Sequence, residues 1–344
     1  MTTLLEQHDA MLFDLDGTLF RGGKAVAGAP EQVHEVTRQS VRVGYLTNNG
    51  SRSADQVVAH LRSLGFPAEE REVVTSGQGA AAMLADRLPA GAEVLVVGTA
   101  ALGGEVKHVG LALAITAEQA KAVVQGHSPD TAWRDLAEAC LAIRAGALWV
   151  ACNDDATLPD ERGLLPGNGA MVAALRAATG AEPLVAGKPE RPLFDEAIRR
   201  LVARRPLVVG DRLDTDIAGA VAAGLPSLLV LTGVSRAGDL LSAPRETRPS
   251  YVAADLAALH EDVDLLAPAD QPSWQVRTSD GELTLVAGEG ADPDGGDPVV
   301  ALRALCAAHW RRGGGPTRVR AADDAAARAL HALALPDTAS PSPE

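Results

Sequence analysis

The chain has 344 residues, which is long for one domain and predicts two or three. Acidic side chains outnumber basic ones by 45 to 31, and the formal charge of −14 argues against a protein that follows nucleic-acid phosphates. Hydrophobic residues make up 47% of the chain and aromatic residues only 3%, so a core of Ala, Val and Leu is expected.

Strands and helices are predicted to alternate in the first part of the chain. Short apolar runs predict the strands, and apolar residues that share one helical face predict the helices between them. In chain order, these elements are a strand over 10–15, a helix over 30–39, a strand over 41–46, a helix over 53–64, a strand over 72–75 and a helix over 78–88. This alternation is typical of a doubly wound, Rossmann-like α/β sheet, and we assign residues 1–85 to its first part.

A second α/β segment, residues 86–183, interrupts this core and is predicted to be an inserted domain. Its predicted elements are strands over 93–97, 112–115, 122–125 and 148–152, and a helix over 132–144. The first pattern resumes over residues 184–264 and is predicted to complete the core. Its elements are strands over 184–186, 207–209, 227–231 and 251–253, and helices over 192–203, 215–223 and 256–261.

Residues 268–336 are predicted to form a small α+β extension. Their elements are a hairpin of strands over 274–278 and 282–287 around Ser279-Asp280-Gly281, a helix over 299–310, a strand over 317–320 and a helix over 323–333. The order could belong to an N-acetyltransferase-like fold, but a glycine-rich acetyl-CoA loop at a helix start is missing. A non-catalytic appendage that packs on the core or mediates association is therefore favoured. The Pro- and Ser-rich residues 337–344 are predicted to be disordered.

The sequence also predicts the compartment. No apolar run reaches the roughly 18 residues that a membrane span needs, and residues 1–9 lack the pattern of a signal peptide. Three scattered cysteines, Cys140, Cys152 and Cys306, do not suit a disulfide framework or a metal knuckle. We expect a soluble, reduced, cytoplasmic protein without a membrane or nucleic-acid partner, and a homo-oligomer remains open.

Asp14 and Asp16 stand at the end of the first predicted strand, in the string Phe-Asp-Leu-Asp-Gly-Thr-Leu. Side chains two residues apart on an extended segment point the same way, and open α/β sheets bind ligands at this strand edge. Two such carboxylates repel each other unless a cation lies between them or one is protonated. Since the available ligands are oxygens, Mg²⁺ is the predicted cation. For an isolated Asp-x-Asp, a turn with solvated acids is the common alternative.

This string resembles the first motif of the haloacid dehalogenase superfamily of phosphatases, and the other motifs can be found in order. The segment Thr47-Asn48-Asn49 ends a predicted strand, as the second motif does. Lys188 lies between a strand and a helix, as the third motif does. Asp211 and Asp216 follow a buried strand, as the acidic fourth motif does.

The resemblance covers about residues 9–262. It is closest to the class with a large α/β cap, the group of 4-nitrophenylphosphatases, phosphoglycolate phosphatases and pyridoxal phosphatases. Within that group the chain is most similar to the actinobacterial glycerol 3-phosphate phosphatases, which carry a C-terminal extension of this kind. The resemblance implies a Mg²⁺-dependent phosphatase whose substrate is a small phosphate monoester, with glycerol 3-phosphate favoured. Phosphoglycolate, pyridoxal phosphate and nucleotide monophosphates remain alternative substrates.

The resemblance also implies a role for each motif. Asp14 attacks phosphorus and forms an aspartyl-phosphate, while Asp16 acts as general acid and then as general base. Mg²⁺ is held by the carboxylates of Asp14 and Asp211 and by the backbone carbonyl of Asp16. A supporting residue, Asp216, orients Lys188 or a metal-bound water.

Phosphate binding is assigned, on the same resemblance, to residues from two motifs. They are Thr47, Asn48, Asn49 and Lys188. The inserted domain is expected to contact the leaving group through the polar segment 153–169, in which Thr157 is the predicted substrate contact. A plain surface loop is an equal alternative there, and Asp154 stands where the family usually has proline.

Two rival functions fit the sequence less well. A phosphomutase forms the same aspartyl-phosphate, but its helical cap would have to fit into the short stretch between Asp16 and Thr47. A regulatory phospho-receiver has a similar acidic cluster but needs neither the inserted domain nor a second Asp for acid-base chemistry.

Overall fold

The computed structural model describes residues 2–160, 162–279, 281–292 and 296–336. Its helices are α1 Leu4–Gln7, α2 Ala29–Arg38, α3 Ala54–Ser63, α4 Ser76–Ala85, α5 Ala100–His108, α6 Trp133–Arg144, α7 Asn168–Thr179, α8 Pro192–Leu201, α9 Ala218–Ala223, α10 Ala237–Leu241, α11 Val263–Leu266, α12 Pro298–Arg311 and α13 Asp324–Ala332. Its strands are β1 Ala10–Asp14, β2 Phe20–Arg21, β3 Lys24–Ala25, β4 Arg42–Thr47, β5 Val73–Thr75, β6 Glu93–Val97, β7 Ala112–Ala114, β8 Ala122–Gln125, β9 Leu148–Ala151, β10 Thr157–Asp160, β11 Gly163–Pro166, β12 Leu184–Val185, β13 Pro206–Gly210, β14 Ser227–Val230, β15 Tyr251–Ala253, β16 Trp274–Ser279, β17 Glu282–Ala287 and β18 Arg318–Ala321. Residues 337–344, predicted to be disordered, and Asp280 of the predicted hairpin turn lie outside the described residues.

The chain divides into two compact units, Met1–Val41 with Arg205–Glu344, and Arg42–Arg204. In the first unit, the parallel strands run in the order β15-β14-β13-β1. In the second unit, β4 pairs with β5 in parallel, and a five-stranded parallel sheet has the order β12-β9-β8-β6-β7. These parallel sheets with intervening helices confirm the α/β class that the sequence predicts. Among the described residues, no helix has the length and apolar character that crossing a bilayer requires.

Several elements differ from the sequence-based prediction. Helix α5 was not predicted, because Gly103 and Gly104 weaken its helical signal. Helix α7 was not predicted either, since its first residues, Asn168-Gly169, are typical of a turn. The segment predicted as a loop forms the hairpin β10–β11. The helix predicted over 215–223 starts earlier, as a π-helical turn over Leu213–Ile217 that leads into α9.

The C-terminal extension packs on the strands and helices that precede it within the first unit. Its sheet has the order β16-β17-β18, and its apolar residues share one buried cluster with residues from the earlier part of this unit. That cluster includes Ile217, Leu229, Leu240, Leu241, Val252, Trp274, Leu283, Leu285, Val299, Leu302, Leu305, Val319 and Leu330. The buried Arg303 of α12 donates from Nε to the backbone oxygen of Val252, at 2.8 Å. The extension is therefore part of the hydrophobic core of this unit.

Deletion of residues 268–344 is expected to lower the melting temperature without removing the site carboxylates. Each large core side chain that becomes exposed to solvent lowers the free energy of unfolding by about 1.5–3 kcal/mol, and we expect a total loss of several kcal/mol. Because about 1 kcal/mol corresponds to roughly 2–4 °C for a domain of this size, the melting temperature should fall by about 10 °C or more. Calorimetry on the full and truncated chains measures this fall.

A chain that ends at Pro336 is the matched control, because it retains every member of the buried cluster, whose last residue is Leu335. It should melt like the full chain. Equal melting temperatures for all three proteins would contradict the packing described here.

Candidate active site

Three carboxylates meet in the first unit. Asp14 ends β1, and Asp211 follows β13, which pairs with β1 in parallel register, so the two residues reach the same edge of the sheet. Asp216 lies one π-helical turn later. One carboxylate oxygen from each of the three residues lies within 4.8 Å of the others. Asp211 and Asp216 are buried, so their negative charges are costly unless cations or donors compensate them.

The carboxylate of Asp211 is fixed by neighbouring donors. The backbone N–H of Val234 donates to its Oδ2 at 2.6 Å, and the hydroxyl of Thr18 donates to its Oδ1 at 3.4 Å. Its own backbone oxygen accepts from the N–H of Ser235. The loop after β14 therefore holds the Asp211 side chain in one orientation.

Glycines make room for this carboxylate. Gly17 has φ +94°, and a Cβ at this position would collide with the carboxylate of Asp211. A Cβ at Gly233 would collide with the same side chain. Gly17 therefore serves both the sharp turn after Asp16 and the close approach of Asp211.

Asp216 joins the same cluster, although the sequence ranks it only as a supporting residue. The backbone N–H of Arg212 donates to its Oδ2 at 3.1 Å. A Cβ at Gly210 would collide with the Asp216 side chain, so the end of β13 and the π-helical turn lie in close contact. The nearby Asp214 points elsewhere, since it pairs with Arg212 at 2.6 Å, and this hydrogen-bonded ion pair lowers its pKa.

Asp16 is exposed and forms an isolated parallel bridge with Phe20. The turn that it starts is closed by the N–H of Gly17, which donates to the backbone oxygen of Phe20 at 2.7 Å. An exposed carboxylate at this turn can exchange protons with a bound group. Its roles as acid, base and carbonyl ligand remain predictions.

The second unit brings together Thr47, Asn48 and Lys188. The hydroxyl oxygen of Thr47, at the end of β4, accepts from the N–H of Asn49 at 3.1 Å, so its O–H can donate elsewhere. The carboxamide of Asn48 accepts from the N–H of Lys188 at 2.7 Å and donates to its backbone oxygen at 3.0 Å. The side chain of Lys188 is buried.

Asn49 and Thr157, two other predicted substrate contacts, lie in different local environments. The side-chain oxygen of Asn49 accepts from both the N–H and the hydroxyl of Ser51, at 2.9 and 2.6 Å. Thr157 is exposed at the start of β10. The phosphate contact of Asn49 and the leaving-group contact of Thr157 remain predictions.

Sequence reasoning missed a polar network around Asn48. The backbone oxygen of Asn48 accepts from Ser76 Oγ and from Asn153 Nδ2, each at 2.6 Å. Asn153 is held in turn by Asn168, which donates from Nδ2 to its backbone oxygen at 2.7 Å. Polar residues at strand ends were the available signal, but their partners lie too far away in sequence to be found from a pattern.

Cys152 lies next to this network and is fully buried. Burial raises the pKa of its thiol to about 12, so the thiol is neutral and a poor nucleophile at neutral pH. Cys152 therefore serves as a small buried hydrophobe.

The three-carboxylate cluster suits a magnesium ion. Its side-chain donors are hard carboxylate oxygens, which Mg²⁺ prefers over nitrogen or sulfur ligands. A divalent cation would also offset the repulsion between buried negative charges.

Comparison with known families matches most of the chain. The model of haloacid dehalogenase-like hydrolases matches residues 11–112, and a second model of the same hydrolase type matches residues 185–259. A model of a GCN5-related N-acetyltransferase-like domain matches residues 271–335.

Individual proteins match over greater lengths. D-glycerol 3-phosphate phosphatase of Mycobacterium tuberculosis is 51% identical over 97% of this chain and 96% of its own. The crystal structure of glycerol phosphate phosphatase from the same organism, in complex with magnesium, has a TM-score of 0.92 and 52% identity, and the match covers 98% of this chain and 100% of that one. A 4-nitrophenylphosphatase from Thermotoga maritima has a TM-score of 0.69 and 31% identity over 76% of this chain and 99% of its own. The resemblance to capped phosphatases that the motifs indicate is confirmed, and the chain belongs to the haloacid dehalogenase-like hydrolases.

Proposed function

We propose that this protein is a Mg²⁺-dependent phosphatase that hydrolyses glycerol 3-phosphate through an aspartyl-phosphate intermediate. The observation that carries the proposal is the cluster of Asp14, Asp211 and Asp216, which puts a strand-end nucleophile beside two further carboxylates. The extensive identity with a D-glycerol 3-phosphate phosphatase supports the same substrate.

The proposed division of labour follows three segments. Residues 1–85 and 184–264 form the catalytic core, residues 86–183 form the cap that contacts the alcohol half of the substrate, and residues 268–336 form a non-catalytic extension. The two hydrolase models match residues 11–112 and 185–259, and the interval between the two matches supports an inserted segment. The packing of the extension into the apolar cluster of the first unit supports a structural role for it.

The chemistry is divided between two aspartates. The Asp14 carboxylate attacks phosphorus, and the P–O bond to the alcohol breaks as the aspartyl-phosphate forms. Asp16 donates a proton to the leaving oxygen and later removes one from the water that hydrolyses the intermediate. A Mg²⁺ ion held by the carboxylates of Asp14, Asp211 and Asp216 and by the backbone oxygen of Asp16 would neutralise charge between nucleophile and phosphate.

The phosphoryl oxygens are assigned to residues of the second unit. The Thr47 hydroxyl can donate because its oxygen already accepts from the N–H of Asn49. The buried Lys188 ammonium supplies positive charge. Thr157 contacts the leaving group in this proposal.

A steady-state screen of small phosphate esters tests the substrate. Glycerol 3-phosphate is expected to have a higher kcat/KM than phosphoglycolate, pyridoxal phosphate, nucleotide monophosphates or 4-nitrophenyl phosphate. A higher value for another alkyl ester would reassign the substrate and leave the phosphatase chemistry in place. No turnover of any ester with Mg²⁺ would refute the proposal.

Size-exclusion chromatography would test whether the protein forms a homo-oligomer. Fractionation of the native cells would test the predicted cytoplasmic location.

Metal removal is expected to abolish turnover, and added Mg²⁺ should restore it. Ca²⁺ should inhibit, because its larger and looser coordination shell would misplace the nucleophile relative to phosphorus. Assays after chelation and replenishment measure both effects.

Asp211→Asn should raise the Mg²⁺ concentration needed for half-maximal activity. The matched control is Asp214→Asn, because Asp214 lies on the same segment but pairs with Arg212. Full activity after rigorous metal removal would exclude the proposed role of the cation.

A further inference from the structure

The side chain of Asn48 connects two segments that are distant in sequence. Its Oδ1 accepts from the N–H of Lys188 at 2.7 Å, and its Nδ2 donates to the backbone oxygen of Lys188 at 3.0 Å. The same Nδ2 donates to Oδ2 of Asp155 at 3.1 Å. Both N–H donors of the carboxamide are thus used within the protein.

The partners fix the orientation of this carboxamide. Nδ2 faces two acceptors, a backbone carbonyl and a carboxylate, while Oδ1 faces an N–H group. Exchange of the two atoms would set oxygen against two oxygens, so only one orientation satisfies the site. Asn48 therefore recognises the Lys188 peptide through a matched donor and acceptor pair.

Asn48 is itself held from the other side. Its backbone oxygen accepts from Ser76 and from Asn153, each at 2.6 Å. The backbone of Gly187, just before Lys188, lies in close contact with the carboxamide. A Cβ at Gly187 would lie 2.7 Å from Asn48 Oδ1 and 2.6 Å from the backbone oxygen of Cys152. This close approach requires a glycine and leaves the Lys188 peptide little freedom to shift.

From these contacts we infer that the Asn48 carboxamide is a positioning residue, which sets the main chain of Lys188 and ties it to the cap residue Asp155. The inference rests on the proposed phosphatase function, in which the Lys188 ammonium stabilises the transferring phosphoryl group. The carboxamide then acts through Lys188 and makes no contact of its own with substrate.

The test is an exchange of functional groups between positions 48 and 155. Asn48→Asp keeps one acceptor for the N–H of Lys188 but loses both donors and places a negative charge beside Asp155. We expect kcat for glycerol 3-phosphate to fall on the order of 100-fold, because misplacement by about 1 Å has an effect of that size. KM should stay within about threefold of the wild-type value, since uniform substrate binding is retained.

Asp155→Asn keeps an oxygen that can accept from Asn48, so kcat should stay within about threefold of the wild-type value. In the double variant, the new carboxamide at position 155 can donate to the new carboxylate at position 48. We therefore expect Asn48→Asp/Asp155→Asn to recover about tenfold in kcat over Asn48→Asp alone. The rescue should be partial, because the backbone oxygen of Lys188 still lacks its donor.

Glu182→Gln is the matched control. Glu182 lies outside the polar segment 153–169, and its exposed carboxylate pairs with Arg176 at 2.6 Å. Its loss should change kcat by less than about twofold, because an exposed ion pair contributes little.

Several results would overturn the inference. A raised KM with unchanged kcat in Asn48→Asp would make the carboxamide a substrate ligand. A double variant no better than Asn48→Asp would remove the link to Asp155. A folded Asn48→Ser protein with wild-type kcat would also overturn it, even where Asn48→Asp does not fold.

Melting temperatures of the wild type, Asn48→Asp, Asp155→Asn and the double variant separate this inference from the proposed function. Partial recovery of the melting temperature in the double variant would show the link between positions 48 and 155 whether or not any ester is hydrolysed. Absence of turnover in the wild-type protein would refute the phosphatase proposal, and absence of coupling in the melting temperatures would refute the link.

Discussion

Asp14→Asn is expected to abolish phosphate-ester hydrolysis while the protein stays folded. The carboxamide has nearly the same shape as the carboxylate but is too weak a nucleophile to form the acyl-phosphate bond. We expect kcat to fall on the order of 10⁴-fold or more, as for removal of a covalent nucleophile elsewhere. Turnover of glycerol 3-phosphate and of 4-nitrophenyl phosphate should be lost together, because both substrates need the same attack.

Trapping of the intermediate supplies a direct readout. Wild-type protein that is quenched in acid during turnover of phosphorus-labelled substrate should carry protein-bound label, and Asp14→Asn should carry none. Asp214→Asn is the matched control, since it removes a nearby carboxylate that is paired with Arg212 instead of the cluster. Residual turnover of Asp14→Asn within tenfold of wild type would remove Asp14 as the nucleophile.

The acidic cluster could be predicted in part because it follows from local rules. Asp14 is the last residue of one buried strand and Asp211 directly follows another, and parallel neighbours bring such ends to one edge of the sheet. Asp216 ranks lower in the sequence analysis because the resemblance gives it only a supporting role, in which it orients Lys188 or a metal-bound water. In the structure Asp216 lies in the π-helical turn over Leu213–Ile217 and joins the cluster.

The surroundings of these carboxylates could not be predicted in the same way. The N–H of Val234 and the missing Cβ of Gly233 shape the site of Asp211, yet their segment resembles an ordinary turn. The pairing of Asn48 with Lys188 links residues 140 positions apart through an amide that has no periodic pattern. Contacts of this kind depend on tertiary geometry, which composition and spacing do not encode.

The C-terminal extension could likewise be predicted only in part. Its hairpin and helices follow from alternation and helical periodicity, and the hairpin pairing of β16 with β17 confirms that part. Its packing partner was left open, because an apolar face is the same whether it covers the core or a second subunit. The shared cluster with Leu240 and Val252 gives its packing partner within the chain.

Asp16→Asn is expected to affect the two steps of the reaction differently, which makes its effect depend on the leaving group. An alkoxide is a poor leaving group without a proton, so kcat/KM for glycerol 3-phosphate should fall by about 10²–10⁴-fold when the general acid is lost. 4-Nitrophenolate is a stable anion and leaves without this help. Its kcat/KM, which reports formation of the aspartyl-phosphate, should therefore fall far less.

The second step needs Asp16 for both substrates, since the attacking water must lose a proton whichever alcohol has left. With 4-nitrophenyl phosphate, Asp16→Asn should thus release a burst of about one nitrophenolate per active site and then turn over slowly, because the aspartyl-phosphate accumulates. Glycerol 3-phosphate should give no such burst, since its first step is already slow. Stopped-flow absorbance and labelled substrate measure the two cases. Equal losses of kcat/KM for the alkyl and aryl esters, without a burst, would show that Asp16 does not protonate the leaving group.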